Sequence, residues 1–116
     1  MVIYSHGNNE DMGDVDDYLR MMARCCRVNI TAYDYSGYGL ATGKPSEANL
    51  YADLEAVYEH VINVYDVAPE NIVLFGRSLG SGPAIQLAAR KKVVLFYHTT
   101  SYSRLFSISN CSFACS

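Results

Sequence analysis

A chain of 116 residues, half of them apolar, has material for one compact domain with a single core and too little for two. Its net charge is −3, with all 12 carboxylates at or before Glu70 and Arg77, Arg90, Lys91, Lys92 and Arg104 after them. Five scattered cations without interleaved aromatics fall short of a nucleic-acid face, and the apolar run 93–97 is far too short to cross a bilayer, so neither nucleic acid nor a membrane span is expected.

Val2, Ile3 and Tyr4 read as a short buried strand running straight into the turn-forming cluster His6-Gly7-Asn8-Asn9. From Asp11, the apolar residues Met12, Val15, Leu19, Met22, Ala23 and Cys26 recur at three- and four-residue steps, which predicts an amphipathic helix with carboxylates at its positive end. Residues 28–33 are β-branched and aromatic enough for a second strand, closed by Asp34-Tyr35-Ser36-Gly37-Tyr38-Gly39. After a loop to Pro45, Ser46 is placed to cap a long helix whose stripe includes Leu50, Leu54, Val57, Val61 and Tyr65. Pro69-Glu70-Asn71 ends that unit, and the apolar run 72–75 predicts a strand covered on both faces.

A third helix is expected over 84–90 and a fourth strand over 93–97. Alternating strand and helix gives an α/β fold: about four parallel strands in a doubly wound sheet with helices on both faces. Residues 101–116, with six serines and two cysteines, read as a disordered tail on a domain spanning 1–100. Cys25, Cys26, Cys111 and Cys115 lack the His partners and paired spacing of a zinc site, so no metal or other cofactor is expected. With no secretory leader in the sequence, reduced thiols in a cytoplasmic setting are the expectation.

Gly76-Arg77-Ser78-Leu79-Gly80 is the string that carries chemistry. A Gly-x-Ser-x-Gly string arises by chance in a chain of this size at a rate of about 0.03. Here it follows a buried strand and opens a helix, the setting in which a serine sits on a tight turn with its hydroxyl above the sheet. Side chains at 76 or 80 would collide with neighbouring backbone at such a turn. A phosphate-cradling loop fits less well, because Ser78 stands where Gly-x-Gly-x-x-Gly needs glycine and no Gly-Lys-Ser/Thr follows. Pro83 would lack an N–H just where a helix begun at Leu79 starts hydrogen bonding, so a kinked or delayed first turn is expected. Acyl transfer needs two donors for its oxyanion, and the loop after the first strand would bring the Asn8 N–H near that of Leu79.

Ser5-His6-Gly7-Asn8, Tyr33-Asp34-Tyr35-Ser36-Gly37-Tyr38-Gly39, Gly43-Lys44-Pro45, Asn49-Leu50-Tyr51-Ala52-Asp53, Pro69-Glu70-Asn71 and Leu87-Ala88-Ala89-Arg90 together resemble the α/β-hydrolase-domain-containing protein 17 family of serine hydrolases. The likeness spans about 2–90. It implies a membrane-associated acyl-protein thioesterase that removes palmitate from protein cysteines, with Ser78 as nucleophile and the Asn8 and Leu79 amides as oxyanion hole. Its substrate would be an acylated protein or lipid-like ester. The family's acylated, cysteine-rich N-terminal segment has no counterpart in these residues, so peripheral membrane association is an expectation for the complete protein.

The hydrolase order places an acid and then a histidine after the nucleophile, yet no Asp or Glu follows Ser78 and the one later histidine is His98. The resemblance gives His98 a structural position. Asp34 and His6 precede Ser78 and are poor substitutes. A hydrolase domain truncated at both ends is therefore expected, with both edges of its four-stranded sheet unpaired. The alternative is a non-catalytic fragment or pseudoenzyme that binds acyl groups or a partner protein. A nucleotide-binding domain, resting on the glycine-rich loop alone, is the weakest reading.

Overall fold

A computed structural model describes residues 1–99 and 102–106. Strand β1 (Val2–Ser5) leads to helix α1 (Met12–Cys26), strand β2 (Ile30–Ala32) and helix α2 (Glu47–Tyr65). Strand β3 (Val73–Arg77), helix α3 (Ser81–Ala88), strand β4 (Val94–Thr99) and strand β5 (Tyr102–Phe106) complete the order, with 3-10 turns at Pro69–Asn71 and Ser78–Gly80. The sheet runs β2-β1-β3-β4-β5. Its first four strands are parallel, as the alternating pattern predicts, and the registers pair Val2 with Ile30, Ser5 with Gly76 and Arg77 with His98.

Side chains alternate across a strand, so neighbours serve opposite faces. Ile3 and Leu74 join Leu54, Tyr58 and Val61 of α2 and Ala84 and Leu87 of α3 in the larger core. Tyr4 turns the other way, onto Val15 and Leu19 of α1, where Phe75 also packs. Two helices cover one face and one covers the other, and β1, with all four residues buried, is shielded on both sides.

Local chemistry fixes the helix ends. Asp11 caps α1 by accepting from the Asp14 N–H while the Asp14 carboxylate accepts from the Asp11 N–H, a reciprocal capping box. The helix stops at Arg27 in a left-handed turn. The same turn sends the Val28 N–H back to the Ala23 carbonyl, which is why β2 covers only Ile30–Ala32 instead of 28–33. Ser46 accepts from the Asn49 N–H at 3.1 Å and starts α2 where its composition predicts.

The elbow region differs in detail from expectation. Strand β3 continues to Arg77, and α3 starts at Ser81, three residues earlier than its apolar pattern suggests. Pro83 is tolerated there because it lies in the first turn, where an N–H needs no carbonyl within the helix. The delayed start takes the form of the 3-10 turn Ser78–Gly80.

The expected tail needs correction over five residues. Tyr102–Phe106 pairs antiparallel with β4, Thr99 opposite Tyr102 and Leu95 opposite Phe106. Tyr102, Leu105 and Phe106 favour extended backbone, and the open edge of β4 offers them a ladder. That edge of the four-stranded sheet is thus paired. The rest of the serine-rich stretch, with Cys111 and Cys115, lies outside the described residues.

Candidate active site

Ser78 stands at the end of β3, solvent-exposed, with φ of +49°. A non-glycine residue in the left-handed region costs of order 1–3 kcal/mol and persists only where its surroundings over-determine it. Those surroundings are visible. A Cβ at Gly76 would lie 2.5 Å from the Gly80 carbonyl oxygen and 2.7 Å from the Ser81 Cα. One at Gly80 would run into the Ser5 carbonyl oxygen and the Tyr35 hydroxyl. Ser81 Oγ donates to the Gly76 carbonyl at 3.2 Å, tying the turn to the strand that enters it.

The loop after β1 is held against this turn. Gly7 N–H donates to Glu10 at 2.8 Å, and the other Glu10 oxygen receives the Arg77 guanidinium at 2.5 Å. Glu10 therefore joins the loop to the residue just before Ser78. A Cβ at Gly7 would approach Glu10 Oε2 to 3.0 Å and the Arg77 carbonyl to 3.7 Å.

His6 is fully buried beneath the loop. Its Nδ1–H donates to the Gly7 carbonyl at 2.8 Å, which leaves Nε2 without a hydrogen bond, 3.3 Å from Asp34 Oδ1. The approach to Asp34 is close in distance and misaligned for a hydrogen bond, so it counts as electrostatic proximity. Asp34 Oδ1 itself accepts from the Met12 N–H at 2.9 Å, at the start of α1. Both groups are thus occupied in joining loop, helix and sheet, and among the described residues neither hydrogen-bonds Ser78.

The tyrosine-rich string after β2 forms the third wall. Tyr35, fully buried, donates its hydroxyl to the His6 carbonyl at 2.6 Å and stacks obliquely on the His6 ring, centroids 4.3 Å apart. Tyr33 shares a hydrogen bond with Ser5 Oγ at 2.9 Å. Burial pushes the phenols of Tyr33 and Tyr35 well above their ordinary range. Tyr38 donates to Asn8 Oδ1 at 2.9 Å. Asp53 on α2 accepts from both the N–H and the hydroxyl of Ser36, at 2.7 and 2.9 Å, and so pins the string's middle. Gly37 and Gly39 both have positive φ, and a Cβ on either would strike Pro45 or Asp34.

A cleft of about 460 Å³ opens beside the turn, and Asn8, Tyr38, Leu50, Tyr51, Leu79 and Pro83 are among the residues that line it. Asn8 and Leu79, named from sequence as a pair, line this one cleft. Arg77 faces away from it, toward Glu10. His98 occupies the β4 position paired with Arg77 in the ladder. Glu10, Tyr35, Tyr38 and Asp53 escaped individual assignment from sequence, because their partners lie 17 to 67 residues distant. The one available signal was the density of the Tyr33-to-Gly39 string.

A parallel sheet with helices on both faces and a strained serine turn at a strand's end define an α/β hydrolase. The Hydrolase_4 family, described as serine aminopeptidase, S33, matches residues 1–96, and the chain belongs to it. The resemblance read from the tyrosine-rich string is borne out among curated relatives. The chain is 47% identical over 89 residues to alpha/beta hydrolase domain-containing protein 17C of Xenopus tropicalis, covering 77% of this chain and 29% of that protein. It is 45% identical over 89 residues to the Homo sapiens 17C protein, covering 77% and 27%. To 17B of Homo sapiens it is 40% identical over 107 residues, covering 90% and 37%. The chain thus spans less than a third of the length of these 17C relatives. No solved structure matches it. Among the described residues, no helix is long and apolar enough to cross a membrane.

Proposed function

We propose that the complete protein is a serine hydrolase of acyl esters or thioesters, with Ser78 as nucleophile and the backbone amides of Asn8 and Leu79 as oxyanion donors. The observation that carries this reading is the positive φ of an exposed Ser78 between two glycines that tolerate no side chain. A turn held in so costly a conformation has a use for it. Ser78 Oγ attacks the acyl carbonyl, the two amides receive the oxyanion, and the leaving alcohol or thiol departs with a proton. Water then cleaves the acyl-serine and restores the hydroxyl.

The reaction needs a base for the Ser78 proton. No carboxylate follows Ser78 in this sequence, and His6 and Asp34 are engaged with Gly7 and Met12. These 116 residues by themselves are therefore assigned only the residual turnover that oxyanion donors and binding sustain, about 10³ to 10⁴ over water. The same observation favours the second reading, a fold that binds acyl groups or a partner protein without turnover. The substrate class follows from the resemblance: an S-acylated protein or lipid-like ester, met in the cytoplasm or at a membrane surface by the complete protein.

A fluorophosphonate probe is expected to label the complete protein at Ser78 and to give no label in its Ser78→Ala variant. Equal labelling of both would defeat the assignment. Hydrolysis of a p-nitrophenyl ester and an acyl thioester, each lost in Ser78→Ala, separates the first reading from the second.

A further inference from the structure

The loop that carries Asn8 is fastened at two ends by different means. At its far end the Gly7 N–H and the Arg77 guanidinium share the Glu10 carboxylate, a charged clamp onto the elbow. The Asn8 N–H lies in the Gly7–Asn8 peptide plane, whose carbonyl is held from below by His6 Nδ1–H, whereas Asn8 itself is exposed and is followed by Asn9 in the left-handed region, φ +59°. The outer, side-chain end of Asn8 is held by the hydrogen bond from Tyr38 to Asn8 Oδ1, 2.9 Å long and spanning 30 residues of sequence.

Tyr38 is a firm anchor. Its ring stands edge-on to Tyr35, centroids 5.4 Å apart, and tilted against His6 at 5.7 Å. Its N–H donates to the Tyr35 carbonyl and its own carbonyl accepts from Ala41, both at 2.9 Å. The flanking glycines are packed against Pro45 and Asp34. Tyr35 grips the loop at the His6 carbonyl and Tyr38 grips it two residues on, so consecutive points of the oxyanion loop hang from one rigid tyrosine string.

We propose that Tyr38 is a positioning residue: by holding Asn8 Oδ1 from the outside while His6 holds the Gly7 carbonyl from beneath, it keeps the Asn8 backbone amide aimed at the developing oxyanion. The inference rests on the reading of Ser78 and Asn8 given above. It deepens that reading by assigning a role to a side chain that neither family membership nor the serine motif names. A donor aimed at charge that exists only in the transition state affects kcat and leaves KM alone. An exposed neutral hydrogen bond contributes little to folding, so its loss leaves thermal stability nearly unchanged.

The test uses Tyr38→Phe, Asn8→Ala and the double variant. Asn8→Ala keeps the backbone amide and removes the tether from the other end. Each single variant is expected to lower kcat for a p-nitrophenyl ester by about tenfold at unchanged KM, a fraction of what loss of a whole donor costs. The double variant is expected to lose no more than either single one, since both remove one interaction. Amide hydrogen exchange over 6–10 is expected to quicken in all three. Multiplicative losses in the double variant, or an unchanged kcat in Tyr38→Phe, overturn the proposal. If the parent protein shows no labelling at Ser78, the hydrolase reading fails on its own account. Exchange then decides the tether: unchanged protection at 6–10 in Tyr38→Phe refutes it, and faster exchange upholds it.

Discussion

Gly80 and Gly82 are two residues apart and play opposite steric parts. Gly80 has ordinary helical dihedrals, so its need for glycine is purely one of space against Ser5 and Tyr35. Gly80→Ala is expected to cost about 1–3 kcal/mol by urea denaturation, as overpacking of a close-packed site does, and to abolish Ser78 labelling. Around a Cβ at Gly82 there is nothing within 4 Å. Gly82→Ala is expected to stabilise by about 0.4–1 kcal/mol by restricting the unfolded chain. A thermal melt that fails to separate these two substitutions would contradict the packing described. At this scale the strand-to-helix turn was legible from sequence, because its steric demand for glycine sits two residues either side of Ser78. The tethers were not. Nothing local to Tyr38 announces Asn8, and nothing local to Glu10 announces Arg77.

The helices read well because their signals are local. Asp11 and Ser46 are short polar side chains just before apolar-periodic runs, and both cap as that pattern predicts. Ser46→Ala is expected to lower stability by about 1 kcal/mol in a urea titration with an unchanged slope. A loss above that would mean Ser46, which also lines the cleft, has a packing role beyond its cap. Leu54, almost wholly buried between α2 and the sheet, is expected to cost about 2–5 kcal/mol as Leu54→Ala. Strand limits were less legible. Val28 has the composition of a strand residue but spends its N–H closing α1, and α3 begins in a Gly-Ser-Gly-Pro stretch that carries no apolar stripe. In both places a hydrogen bond made by the neighbouring element overrode side-chain preference.

Across the whole molecule, phenols held in the fold, Tyr33 and Tyr35 foremost among them, make it sensitive to alkali. Burial raises Tyr33 and Tyr35 above their ordinary value of 10.0, so the folded state holds those protons more tightly than the unfolded chain does. Their contribution is complete below about pH 10 and is lost as pH climbs beyond it, because only the unfolded state then gains from ionising. Urea midpoints are expected to fall above pH 10, and to fall less in Tyr33→Phe. A midpoint flat to pH 11 would show that the two hydroxyls reach water. The layer order was legible in sequence because strand and helix periods alternate cleanly. The fifth strand was not, since its reason to form is an open ladder on β4 that only the assembled sheet presents.

That fifth strand closes the β4 side of the sheet and leaves β2 as its parallel edge. By running opposite to β4 it fills the seat beside the serine-bearing half of the sheet with a chain of the wrong direction for another crossover. A further strand that pairs with β4 on that side has to displace Tyr102–Phe106 first.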